Sequence, residues 1–349
     1  MKIAGVAGAF PKHYFSQEVL VAALKHYWGE RLPNPDVLDR LHSRVDVRGR
    51  YMSLPLERYE TLSTWGEANT AWIETAVDLG EQAIQSAAGR TNLSPREINA
   101  LFVVSVTGIA SPSLDARLIN RMDLCPNIKR IPIFGLGCVA GAAGISRAAD
   151  YVRAYPGQVA ALLAVELCSL TIQRDDVSMA NLISAGLFGD GAAAVIVTGD
   201  ERTAQGPEIL ATQSVFYPGT EDTMGWDISE KGFQIVLSPG VPDVVKKNLG
   251  RDVDTFLGNN GLTRKDVGSW IFHTGGPKVL EAVATALDVP DDALAVSWDC
   301  LNKVGNISSV SVLLVLEDVI ENHRPEPGTY SILGAMGPGF CSELLLLRW

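Results

Sequence analysis

The sequence predicts an α/β protein made of two copies of one unit. The first observation is an internal echo. Leu93-Ser94-Pro95-Arg96-Glu97-Ile98 precedes the apolar strand Leu101–Val106, which ends in Thr107-Gly108. Leu262-Thr263-Arg264-Lys265-Asp266-Val267 precedes Trp270-Ile271-Phe272, which ends in His273-Thr274-Gly275-Gly276. Each copy reads as a Ser/Thr N-cap, an acid three residues on, a short helix, and a strand that delivers polar residues at its end. The second observation is the offset: Ser94 to Thr263 is 169 residues, close to half of a 349-residue chain. The third is a shared ending. Gly189-Asp190-Gly191 precedes the strand Ala192–Val197, and Gly337-Pro338-Gly339 precedes Cys341–Leu347. Two halves follow, residues 1–205 and 206–349. Functional groups are expected where strand ends of both copies converge.

Taken in order, Met1–Phe10 is apolar, short and followed at once by Pro11 and Lys12. It reads as a buried first strand rather than a signal peptide. An amphipathic helix is expected near Ser16–Tyr27, then a turn at Pro33–Pro35. The basic stretch Asp39–Arg50 holds Arg40 and Arg44, four apart and on one face if helical. Such a run is ordinarily a solvated surface. In a chain of net charge −11, local arginines also point to a phosphate site. Thr61–Ala88 reads as one long helix, and Ile131–Phe134 as a buried strand.

Composition narrows the function classes. Hydrophobic residues at 47% can fill a substantial core, and no apolar run reaches membrane-spanning length. Five widely spaced cysteines do not form a disulfide framework, so a reducing cytoplasm is the natural compartment. The acidic balance argues against nucleic acid as the main partner.

Arg130–Ala149, RIPIFGLGCVAGAAGISRAA, carries the chemistry. A strand, a glycine turn and Cys138 opening a small-residue helix make an elbow that presents one sulfur. The helix start favours thiolate over thiol. Two other readings stay open on this stretch alone. Cys138 is a small core residue, or Gly135-Leu136-Gly137-x-x-Ala140 is a dinucleotide fingerprint, although no acidic residue stands at the usual distance. The second half supplies His273 at a strand end before Gly275-Gly276-Pro277, and Asn306 in KVGNISS ahead of an apolar helix. A lone histidine is more often structural and a lone asparagine more often a cap. A helix-start cysteine in one copy with both of these in the other is a different pattern.

Five motifs give that pattern a family. GLGCVAGAAG around Cys138, GLFGDGAAAV around Phe188, HTGGPK at His273, GNISS at Asn306 and AMGPGF near Gly337 stand in one order and spacing. Nearly the whole chain resembles the type III polyketide synthases, the chalcone-synthase-like branch of the thiolase superfamily. The resemblance implies a duplicated αβαβα thiolase fold with two pseudo-equivalent halves, a homodimer, and CoA thioesters as substrates with no cofactor or metal. It implies Cys138 as nucleophile, with His273 and Asn306 serving the oxyanion and the decarboxylation. A thiolate exchanges with a thioester readily. The enolate left by CO₂ loss needs donors rather than an acid beside it.

Other positions carry over from the resemblance singly. Phe188 matches an aromatic gatekeeper. The second gatekeeper position, seven before Pro242, holds Ile235, with Phe233 two residues away. Arg40 and Arg44 match two residues that hold CoA phosphates, while a third family lysine falls on Val37. Lys278 replaces a small residue and adds a phosphate contact. Cys168, in VELCSLT, matches a cavity-lining threonine, and Ser308 of GNISS joins the substrate-binding positions. VELCSLT, PSLDAR and MGWD look most like members that extend long fatty acyl-CoA starters with malonyl-CoA to alkylpyrones or alkylresorcinols. The rival within the family uses malonyl-CoA alone and makes a hydroxylated naphthalene or related phenol. Outside it stand a single-condensation enzyme like β-ketoacyl synthase III, a nicotinamide dehydrogenase and a silent scaffold.

Overall fold

Runs of Ala, Val, Leu and Ile form the central strands, and glycine, proline and capping residues end them. The computed structural model describes residues 1–32 and 34–349, apart from the side chain of Asp291. Pro33, the first residue of the expected turn, lies outside the described residues. The first half runs β1 (Lys2–Ala9), β2 (His13–Ser16), α1 (Gln17–Trp28), α2 (Asp36–His42), β3 (Gly49–Met52), α3 (Leu56–Thr61) and α4 (Trp65–Gly89). It continues through β4 (Ala100–Ser105), α5 (Leu114–Arg121), β5 (Lys129–Phe134), α6 (Ala140–Ala154), β6 (Val159–Leu167), α7 (Met179–Leu187) and β7 (Asp190–Thr198). The second half opens with β8 (Glu208–Phe216), the hairpin β9 (Met224–Ser229) and β10 (Gly232–Leu237), then α8 (Val241–Asn259) and β11 (Val267–Phe272). It closes with α9 (Pro277–Leu287), α10 (Ala295–Val304), α11 (Ser311–Asn322), β12 (Tyr330–Gly337) and β13 (Cys341–Arg348).

The strand order β11-β12-β13-β8-β1-β7-β6-β4-β5 repeats one topology about its centre. β4 lies parallel to β6 as β11 lies parallel to β12. The antiparallel pair β6–β7 matches β12–β13, and the pair β7–β1 matches β13–β8. β1 and β8 join the halves through the antiparallel pair Lys2–Glu208. The echoed motifs are the same device twice. Ser94 with Glu97 and Thr263 with Asp266 both close capping boxes, on single 3₁₀ turns rather than α-helices. Equivalence stops at β5, which has no counterpart strand, because the chain after α9 turns directly into α10.

Five layers result. α4 covers the outer face of the first half through Leu79, Ala83 and Ile84, and α8 covers that of the second through Val245, Leu249 and Val253. Between the two sheet halves lie α6 and α11, whose Ile145, Ala148, Leu313 and Leu316 share one core with Leu162, Val195, Leu333 and Leu345. Each large side chain buried there contributes about 1.5–3 kcal/mol. The two inner helices touch because α6 is built from small residues. A Cβ on Gly141 would stand 2.2 Å from the carbonyl oxygen of Ser309.

Three expectations are corrected. The long helix expected from Thr61 starts at Trp65, since α3 ends at Thr61 and Thr64 with Glu67 forms the capping box that opens α4. β5 is not buried. It is an edge strand whose Pro132 suits an edge and whose Phe134 is 48% exposed. Arg40 and Arg44 do not share a helical face, because α2 ends at His42. Gly141→Ala should lower the unfolding free energy by about 1–3 kcal/mol, measured by chemical denaturation. Unchanged stability would show that the α6–Ser309 contact has slack.

Candidate active site

β5 ends in Gly135 and Gly137, both left-handed at φ 96° and 53°, and Cys138 follows in a 3₁₀ turn that runs into α6. The second half clasps this elbow. A Cβ on Gly337 would lie 2.6 Å from the Val139 nitrogen, and one on Gly137 would lie 2.8 Å from the Pro338 ring. Both glycines are therefore required by close approach, and Gly137 by its conformation as well. Cys138 is 5% exposed.

His273 follows the last residue of β11, and its N–H donates to the Gly334 carbonyl at 3.0 Å. Its ring is buried, and neither ring nitrogen has a hydrogen-bond partner among the described residues. Cys138 and His273 line one small cavity of about 20 Å³ with Phe272, Val279, Met336 and Phe340. An imidazole buried with two free nitrogens beside a thiol is oriented for a ligand or a proton rather than for the fold.

Asn306 comes from a loop held from both sides. Its N–H donates to the Leu187 carbonyl at 2.9 Å, and its carbonyl accepts from the Gly189 N–H at 2.9 Å. This ties it directly to Phe188 of the first half. The Asn306 side-chain oxygen accepts from the Ser308 N–H at 2.8 Å. The oxygen is thus occupied and the amide N–H₂ is left as the functional end. Gly305 and Ser308 both adopt positive φ, 74° and 46°. For a serine this is strain of a kind that clusters at functional sites. Ser308 Oγ lies 3.7 Å from Cys138 Sγ.

Burial dominates the electrostatics. It pushes the Cys138 thiol up to about 12, against hydrogen bonds from Ser308 and Asn306, and the His273 imidazole down to about 4. Burial thus favours the neutral form of each group and works against the thiolate expected at a helix start. Proton transfer from thiol to imidazole would give two opposite charges in one cavity, each offsetting the other's desolvation. Behind the thiol, Glu166 is fully buried and accepts from Ser309 Oγ, Thr107 Oγ1 and the Val106 N–H. Burial raises it to about 7. This carboxyl joins the ends of β4 and β6 to the GNISS loop. Sequence reading passed over it, although it stands inside VELCSLT.

The remaining expected positions divide. Phe188, Cys168 and Ile235 line a second space of about 20 Å³ with Ser184 and Trp226. Phe233 does not replace Ile235 there. It is buried against Trp65, Phe134 and Trp226. Arg50, a residue the sequence reading did not single out, is fully buried and donates to the Phe188 carbonyl at 2.8 Å. Arg40, Arg44 and Lys278 are exposed. Val45 and Val47 pack on Leu280, which brings the Arg44 segment against the start of α9, where Lys278 stands.

Family models for chalcone and stilbene synthases match the chain twice, the N-terminal domain over residues 2–201 and the C-terminal domain over residues 208–349. A 1,3,6,8-tetrahydroxynaphthalene synthase of Streptomyces peucetius subsp. caesius is 48% identical over 99% of this chain and 93% of its own length. A putative chalcone synthase of Bacillus subtilis is 34% identical over 99% of this chain and 98% of its own. The crystal structure of 1,3,6,8-tetrahydroxynaphthalene synthase from Streptomyces coelicolor A3(2), a bacterial type III polyketide synthase, superposes with a TM-score of 0.94 at 32% identity, covering 100% of this chain and 99% of that one.

The shared cavity predicts the thiol's pH response. If His273 takes the Cys138 proton, alkylation of Cys138 by iodoacetamide has an inflection below pH 8, and His273→Gln moves it to alkaline pH. The same profile in both proteins would show that the imidazole takes no part.

Proposed function

The chain belongs to the chalcone and stilbene synthase family, acyltransferases of the type III polyketide synthase class, and from that premise we propose that malonyl-CoA serves it as both starter and extender. The product is a hydroxylated naphthalene or a closely related phenol. The observation that carries this reading is the 48% identity to a tetrahydroxynaphthalene synthase over 99% of the chain. The spaces beside Cys138 and beside Cys168 and Phe188 are each about 20 Å³, room for little more than a water, so either starter needs them to widen around the growing chain. The long-chain alkylpyrone or alkylresorcinol reading rests on VELCSLT, PSLDAR and MGWD.

In the proposed mechanism Cys138 passes its proton to His273 and attacks the malonyl or acetyl thioester. CoA leaves as its thiol, and the acyl group stays on sulfur. A second malonyl-CoA then enters. Breaking its carboxylate–carbon bond releases CO₂ and places the electron pair in an enolate. The negative oxygen is met by the Asn306 N–H₂, fixed by the Ser308 N–H on its other end, and by His273 Nε2–H. The enolate carbon attacks the acyl-cysteine, and the sulfur leaves. Cys138 then takes the lengthened chain back from its CoA thioester, releasing CoA, and the cycle repeats until ring closure frees the poly-β-keto chain. These steps use carbanion chemistry supplied by decarboxylation, so CoA thioesters suffice as reactants.

Arg40, Arg44 and Lys278 are assigned to the CoA phosphates, a basic rim on an acidic protein. Phe188 and Ile235 are assigned to the passage inside it. A homodimer is part of the reading, because the edge strand β5 exposes Phe134 and leaves its outer hydrogen-bonding groups free for another copy. Five free cysteines fit a cytoplasmic enzyme, and no described helix is long and apolar enough to cross a membrane.

Mass spectrometry of the products formed from malonyl-CoA alone tests this reading. A hydroxylated naphthalene or related phenol is expected. Absence of product until a fatty acyl-CoA is added, with an alkylpyrone then appearing, would overturn it.

A further inference from the structure

A cavity of about 480 Å³, much larger than the space that holds Cys138, lies elsewhere in the molecule. It lies between α1, α3, the start of α4 and the β9–β10 hairpin, on the far side of the Cys168–Thr171 turn from Phe188. It shares only Thr171, Ile172 and Ala185 with the space beside Phe188. Its size is that of a small-molecule site, and no step of the proposed mechanism uses it.

Its lining selects one chemistry. Trp65, Phe233 and Tyr27 give aromatic walls suited to a flat ring. Arg50, Tyr59 and Ser169 give polar groups at its buried end. Arg50 Nε has no partner there among the described residues, and Tyr59 and Ser169 hydroxyls bond each other at 2.6 Å. The rim is acidic. Glu57, Glu60, Asp175 and Glu230 outnumber Arg174 and Lys231, and all are exposed. That rim disfavours a fatty carboxylate or a CoA phosphate and admits a neutral molecule whose hydroxyls can both donate and accept.

We propose that this chamber is a second binding site, for a flat, neutral, hydroxylated arene. Such a molecule is of the chemical class that the proposed function assigns to the product, so the inference rests on that reading for its biological sense. The site has a short route to the chemistry. Arg50 donates to the Phe188 carbonyl at 2.8 Å, and Phe188 is bridged by backbone to Asn306. The bond to Phe188 is made by Nη1, so an arene hydroxyl that accepts from the free Nε draws the guanidinium toward the chamber and loosens the hold on the Asn306 loop. Occupancy thus lowers turnover without competing with malonyl-CoA.

Naphthoresorcinol is the probe, titrated calorimetrically into the full-length protein, with and without Cys138 blocked by iodoacetamide. One site is expected in both forms. Ala23→Trp, which fills the chamber from α1, and Trp65→Leu, which removes a wall, should each weaken it about tenfold. In steady-state assays the probe should lower kcat and leave the KM for malonyl-CoA unchanged, and Ala23→Trp should relieve this. Binding lost on blocking Cys138, binding unchanged in both variants, or tighter binding of palmitate than of naphthoresorcinol would each overturn the proposal. Product mass spectrometry reads the other question separately. An alkylpyrone product with naphthoresorcinol binding intact would sink the proposed function and leave this site standing.

Discussion

The structure depends on one junction, where the Gly305–Ser309 loop of the second half closes on the first. Two backbone hydrogen bonds fix Asn306 to the residues on either side of Phe188. Ser309 caps this from behind, its carbonyl against Gly141 and its hydroxyl on Glu166. Because the loop is over-determined, Ser308 can be held at positive φ and still present its hydroxyl to Cys138. The same loop therefore joins the halves, sets the oxygen of Asn306 inward and leaves its amide nitrogen for substrate. A polar network of this kind specifies geometry better than it adds stability.

Desolvation is the second constraint. The site buries a thiol, an imidazole and a carboxyl together, and burial moves each toward its neutral form. A dry pocket strengthens the donors that meet an enolate. It also protects a carbanion from protonation by water. In the proposed mechanism the cost is a nucleophile that needs its neighbour as a base. That is why the cysteine and histidine have to share a cavity, although they come from halves 135 residues apart in the chain, Cys138 to His273.

Much of this was legible in the sequence. The duplication could be read from two capping boxes because capping is local chemistry, four residues long. The elbow at Cys138 could be read for the same reason. Burial of β5 could not be read, since an apolar run does not say whether it lies at the centre or the edge of a sheet. The start of α4 was placed at Thr61 instead of Trp65 although Thr64 and Glu67 signal it, because the hydrophobic pattern runs back across Leu62. The partners of Glu166, the Arg50–Phe188 bond and the chamber beside Trp65 all depend on contacts between residues far apart in sequence. The choice of starter was read from short motifs as a long chain. The relatives favour malonyl-CoA alone, and the motifs could not decide the point because cavity shape comes from packing that no motif encodes.

The central claim is that the sulfur of one half is the covalent anchor and that the other half supplies the groups that work on it. Intact-protein and peptide mass spectrometry after brief incubation with an acyl-CoA, quenched in acid, tests it most directly. The account predicts an acyl increment confined to the peptide that carries Cys138. An increment on Cys168 or any other residue, or turnover with no acyl-enzyme at all, would contradict it.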